Sequence, residues 1–151
     1  ANAKSVLFLG RNVGFPVAME GALKLKELAY IHAEGFAAGE LKHGPIALIE
    51  EGQPVIVIVP SPRDADSLHP KVISNIQEIR ARGARVIAIA EEGDGEVENY
   101  AEHVTYVPKS ANIFSSILTV IPLQLFALEL ATAKGLDVDQ PRNLAKSVTV
   151  E

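Results

Sequence analysis

Glu20, Lys24 and Glu27 stand at i, i+4 and i+7. On a helix turning about 100° per residue they fall, with Ile31, within about 60° of one another. A carboxylate placed there and partly withdrawn from water can take up and return a proton. A neighbouring ammonium keeps it ionised and orients an anionic or enolate-like substrate. Glu27 and Lys24 fit those two roles. The same spacing also describes a solvated helix face laced by Glu–Lys pairs worth about 0.2–0.5 kcal/mol each. What favours chemistry is position. The segment follows an apolar run through Gly10-Arg11-Asn12-Val13-Gly14, and open α/β sheets bind ligands at the carboxyl ends of their strands. That turn is no dinucleotide fingerprint, because Gly10-x-x-x-Gly14 lacks the middle glycine of G-x-G-x-x-G.

A second cluster, Gly39-Glu40-Leu41-Lys42-His43-Gly44-Pro45, sets an acid, a base and an imidazole between loop-forming residues. An imidazole such as that of His43 suits proton transfer at neutral pH, although a loop histidine can equally be idle in solvent. His32 is expected on the packing face of the first helix, and His69 and His103 have no evident acidic company. No His/Asp/Glu spacing resembles a metal site. The closing residues Asp139 to Glu151 alternate polar and apolar side chains. A lysine at position 146 on a tail folded over a pocket could meet a sugar carbonyl or hydroxyl.

These residues need a frame. Val6–Leu9, Val55–Val59, Val86–Ala90 and Val104–Val107 are charge-free and mostly β-branched, as strands buried on both faces are. Helical patterns run between or after them at Phe15–Glu34, Pro70–Arg82 and Ile113–Lys134. The alternation predicts a three-layer αβα domain over 1–135 around a mostly parallel sheet, followed by an extended tail over 136–151. The third helix carries two apolar stripes, Phe114, Ile117, Leu118, Ile121, Leu125, Leu128 and Val120, Leu123, Ala127, Leu130. It therefore needs cover from its own sheet and from a second domain or subunit. Pro122 should kink or break it.

Composition narrows the classes. The chain has 151 residues and a formal charge of −5, which speaks against a general nucleic-acid or acidic-membrane binder. With no cysteine, disulfides, thiol catalysis and cysteine-held metals are excluded within it. Ile113 to Leu128 is interrupted by Ser115, Ser116, Thr119, Pro122 and Gln124, so the sequence reads it as a buried helix and not as a membrane span. The first residues lack a secretory pattern, and the chain reads as cytoplasmic.

EGALKLKE from Glu20, ELKHGP from Glu40 and DQPRNLAKSVTVE from Asp139 together resemble the second sugar-isomerase (SIS) module of the glucosamine-6-phosphate synthase family, over nearly the whole chain. The resemblance implies amination of fructose 6-phosphate followed by ketose-to-aldose isomerisation to glucosamine 6-phosphate, with no cofactor. It implies that Glu27 moves a proton between C1 and C2. His43, supplied by a neighbouring subunit, would assist ring opening, and Lys146 would contact the open-chain sugar near its carbonyl. Lys24 and Glu20 would line the site, with Arg11 and Ala145 close to it. The family's glutaminase domain, with its cysteine nucleophile, and its first SIS module, with its phosphate-gripping Ser/Thr loop, have no counterpart here. The chain thus reads as the second half of a two-module isomerase, inactive alone and homodimeric in its parent. A fructosamine-phosphate deglycase module and a non-catalytic sugar-phosphate sensor are the competing readings.

Overall fold

A computed structural model describes residues 3–63 and 67–144 of the chain. Five strands, β1 (Ser5–Gly10), β2 (His32–Ala37), β3 (Pro54–Ile58), β4 (Arg85–Glu91) and β5 (His103–Val107), form one sheet in the order β2-β1-β3-β4-β5. Every pairing is parallel, and Phe8 lies between Gly35 and Ile56. The helices are α1 (Gly14–Ala29), α2 (His69–Arg80) and α3 (Asn112–Ala133), with short 3-10 helices at Ala38–His43, Pro45–Leu48 and Val97–Asn99. The αβα architecture read from the sequence is the observed one.

Strand alternation builds two cores. Val6, Phe8, Ile56, Ile58 and Ile89 face α1 and α3. Leu7, Leu9, Val55, Val57, Val86 and Ala88 face α2 and the Ala38–His43 helix. Phe8 is fully buried, and removing such a ring from water contributes about 1.5–3 kcal/mol. At the crossing of α1 with its neighbours sits Gly21, where a Cβ would lie 2.7 Å from Leu123 and 2.9 Å from Phe8. Only glycine lets the three elements approach so closely.

The first helical pattern is shorter than its apolar residues suggest. Tyr30 adopts the left-handed conformation (φ 53°) and ends α1 at Ala29, and residues 32–37 then pair as β2 beside β1. This corrects two expectations. Ile31 is off the helix that carries the charged stripe, and His32 is an exposed residue of an edge strand instead of part of a helix packing face. The third helix runs unbroken through Pro122. Its 22 residues are long and apolar enough to cross a membrane, yet Leu123, Ala127 and Ala131 are buried against α1 and the sheet. Its other stripe is uncovered: Ile113, Phe114, Ile117, Ile121, Leu125 and Leu128 are exposed, Ile113 to 74%.

Candidate functional site

The carboxylate–lysine stripe is real and its members touch. Lys24 Nζ lies 2.5 Å from Glu27 Oε2 and 3.7 Å from Glu20 Oε1. The Lys24 and Glu27 side chains are both partly covered, 28% and 27% exposed. The hydrogen bond to Glu27 raises the lysine above its ordinary range, helped by both carboxylate charges and opposed by burial. Lys24 therefore stays cationic at neutral pH and holds the Glu27 carboxylate in one orientation.

The location differs from the one read off the sequence. A helix after a parallel strand runs back along the sheet, and at 1.5 Å per residue Glu27 lies about 20 Å from the start of α1. It stands toward the amino edge of the strands, away from their tips. Gly21 faces α3 through Leu123, and Lys24 is about 60° of helical rotation from Gly21. The trio thus lies on the outward side of α1 next to α3, whose exposed stripe continues the same surface.

His43 is elsewhere. It is the exposed last residue of the 3-10 helix Ala38–His43, which packs Ala38 and Leu41 into the core on the α2 face of the sheet. One copy of the chain therefore sets Glu27 and His43 on opposite faces. Arg11 is also apart from the trio, in the β1–α1 turn, where its Nε donates to Asn75 Oδ1 at 3.2 Å. Ala145 and Lys146 lie outside the described residues. The preceding tail is pinned at the carboxyl end of α1. Arg142 lies over the Tyr30 ring, 4.1 Å from its centroid, and donates its backbone N–H to the Tyr30 hydroxyl at 2.7 Å. Lys134 Nζ donates to the Ala29 carbonyl at the end of α1.

The family model described as SIS domain matches residues 1–134. The chain belongs to the SIS family. It is 75% identical over 151 residues to a Leifsonia xyli subsp. xyli protein named glutamine–fructose-6-phosphate aminotransferase [isomerizing], covering all of this chain and 24% of that protein. A Corynebacterium diphtheriae protein of the same name is 73% identical over 99% of this chain, again 24% of its own length. The chain thus spans about a quarter of these relatives. Among solved structures, the C-terminal domain of glucosamine-fructose-6-phosphate aminotransferase from Francisella tularensis superposes with a TM-score of 0.81 at 39% identity, over 92% of this chain and 38% of that one.

This SIS domain carries three further polar features. At the carboxyl ends of β1 and β3, where the strand order reverses, a small cleft is lined by Arg11, Asn12, Gly14, Ser67, Asn112 and Ser115 among others. Beside it, His69 and Asp94, both almost fully buried, meet at 2.7 Å, and Glu96 approaches the other ring nitrogen at 3.8 Å. The expectation that His69 lacks acidic company is thus overturned. The pair braces the start of α2 against the loop after β4, a junction of residues 25 apart that no local pattern announces. In the same region Arg63 and Ser61 bind the buried Glu91 carboxylate. The Arg63 hydrogen bond holds Glu91 below the usual carboxylate range. Among the described residues no group of His, Cys, Asp and Glu could hold a metal ion.

Proposed function

We propose that the chain is the second SIS module of a cytoplasmic, homodimeric glutamine–fructose-6-phosphate aminotransferase, and that its α1 stripe carries the isomerisation. The observation that carries this reading is the Glu27–Lys24 contact: a partly covered carboxylate fixed by a lysine that is cationic at neutral pH, on a surface that lacks its cover. Glutaminase and first SIS domains in the rest of the polypeptide supply ammonia and grip the sugar phosphate. Ammonia condenses with the C2 carbonyl of open-chain fructose 6-phosphate and water leaves, giving an imine. Glu27 takes a proton from C1, the C1–H electron pair forms the C1–C2 double bond, and the C=N pair moves onto nitrogen, which takes up a proton, giving an enaminol. The same carboxylate returns the proton to C2 as the double-bond pair shifts there, the C1 hydroxyl gives up its proton in balance for the one nitrogen took, and C1 becomes the aldehyde of glucosamine 6-phosphate. One base reaching two adjacent carbons suffices, and Lys24 stabilises negative charge as it develops, with Glu20 steadying Lys24.

Three features support the arrangement. The uncovered α3 stripe suits a packed partner, and a partner laid on it also shields the adjoining trio from water, as a general base needs. The opposite placement of Glu27 and His43 suits a site whose imidazole, assisting ring opening, comes from a second copy. The Tyr30–Arg142 contact leads the tail to the end of α1, and Lys146, four residues on, has a reach of about 13 Å. A reach of that length is enough for a site that includes Lys146 and Ala145 beside Glu27.

Subunit complementation tests this. In the full-length enzyme, Glu27→Gln and His43→Gln homodimers are each expected to be nearly inactive. Mixing and reassembly makes half of the dimers hybrid, each with one intact site, so activity should return to about a quarter of wild type. Hybrids as inactive as their parents would refute a shared site.

A further inference from the structure

The 3-10 helix that presents His43 is held by contacts that the mechanism above does not use. Six residues in 3-10 geometry have poor internal hydrogen bonds and do not hold their own orientation. Burial of Ala38 and Leu41 anchors one side. On the α2 side, Lys42 Nζ lies 2.8 Å from Glu78 Oε1. From the β1–α1 turn comes Arg11, whose Nε is committed to Oδ1 of Asn75, a residue only 4% exposed and about one helical turn before Glu78. The guanidinium then lies flat against Gly39, where a Cβ would come within 3.2 Å of Nη1 and 3.5 Å of Cζ. The backbone of Gly39 is not in the left-handed region, so glycine serves here to make room for the arginine.

We propose that Asn75 is a positioning residue that acts through Arg11. It fixes the plane of the guanidinium, the guanidinium sets the seat of Gly39, and that seat sets where the imidazole four residues later projects toward the neighbouring copy. Arg11 accordingly works as a brace for the His43 segment, at the far end of α1 from the Glu27 trio. A planar fork with its Nε tied to a buried acceptor has essentially one orientation. Without the acceptor it swings, and a group misplaced by about 1 Å can lose about a hundredfold in rate. The inference rests on the reading of His43 as a group acting on the sugar.

The test is kinetic, in the full-length enzyme, with fructose 6-phosphate and glutamine. Asn75→Ala should lower kcat about tenfold or more and leave KM for the sugar within about twofold. Asn75→Asp keeps the acceptor and should recover kcat to within about threefold of wild type. Because both residues act through one imidazole, the double variant Asn75→Ala/His43→Gln should be no slower than His43→Gln alone. Ile76→Val, a core change in the same helix, serves as a stability control and should leave kcat unchanged. Should Asn75→Ala fail to fold, Gly39→Ala perturbs the other end of the brace and should give the same split of kcat from KM. Wild-type turnover in His43→Gln would defeat the reading of His43 itself. A slow His43→Gln together with normal turnover in Asn75→Ala, or losses that multiply in the double variant, would overturn the positioning role and leave His43 in place. An equal loss in Ile76→Val would overturn it too, by showing that any weakening of α2 suffices.

Discussion

Replacing Glu27 by Gln in the full-length enzyme separates position from basicity. The amide keeps an oxygen where Lys24 Nζ, 2.5 Å away, donates, so the local geometry survives. What disappears is a carboxylate able to carry a proton. The Glu20–Lys24–Glu27 trio also changes from one net negative charge to neutral, which does not hinder an anionic sugar phosphate, so KM for fructose 6-phosphate should stay within about threefold. A positioned general base contributes about 10²–10⁴ in rate, or about 2.7–5.4 kcal/mol of barrier. Exchange of the C1 proton with deuterated solvent, followed by NMR, should fall by at least a hundredfold together with kcat. Exchange within tenfold of wild type would remove Glu27 from the mechanism. The substitution also carries a pH signature. Lys24 is raised first of all by its hydrogen bond to Glu27, so in the variant it should titrate closer to an ordinary lysine. A raised lysine contributes stability that is present below the unfolded value of about 10.4 and is lost as pH climbs through the folded value. Wild type should therefore lose more stability across that alkaline window than Glu27→Gln does.

Gly21→Ala should destabilise the domain by about 1–3 kcal/mol from overpacking against Leu123 and Phe8, partly offset by about 1 kcal/mol of helix propensity; a thermal midpoint equal to or above wild type would contradict the close packing. Tyr106 is pushed up to about 12, chiefly by donating to Glu98, so its contribution is intact below pH 10 and lost between pH 10 and 12. Tyr106→Phe should flatten the stability profile there, while ultraviolet absorbance in wild type should show one late-ionising tyrosine. The isolated chain should self-associate through its exposed α3 stripe, and Ile117→Lys with Leu125→Lys should return it to monomer in sedimentation. A wild-type chain that stays monomeric at high concentration would count against an interface there.

Four strands were legible: β1, β3 and β4 as charge-free apolar runs buried on both faces of a parallel sheet, and β5 from its β-branched and aromatic run Val104-Thr105-Tyr106-Val107, although as an edge strand it is largely exposed and not buried on both faces as expected. β2 was not. As an edge strand it buries only Ala33 fully, so His32-Ala33-Glu34-Gly35-Phe36-Ala37 lacks the apolar run and joins smoothly onto the helical pattern before it. The boundary is made by Tyr30 in the left-handed region, a job that sequence signals assign to Gly or Asn. In the site, the contact of Glu20, Lys24 and Glu27 followed from spacing alone, whereas their height along the sheet did not. Periodicity gives a face of a helix, and only the fold shows which end of that helix meets the strand tips. The Asn75–Arg11 and His69–Asp94 contacts join residues 64 and 25 positions apart, and no period encodes them.

The placement of the chemistry has a consequence for how such a module can work. Under the proposed mechanism the base, Glu27, lies on the α1/α3 side and the imidazole, His43, on the α2 side, with a hydrophobic sheet between them, so no side-chain motion within one copy would bring them to one sugar. The uncovered stripe of α3 adjoins the base and not the imidazole. Packing that removes this stripe from water also lowers the dielectric around Glu27 and Lys24, strengthening their pairing and keeping water off the carboxylate. Hydrophobic association and activation of the base are then one event on this surface. The exposed 3-10 helix on the other side, braced by Arg11, is free to serve a second site at the same time. Under the proposed mechanism turnover therefore depends on assembly, because an unassembled copy would have neither a covered Glu27 nor a second copy's His43 within reach.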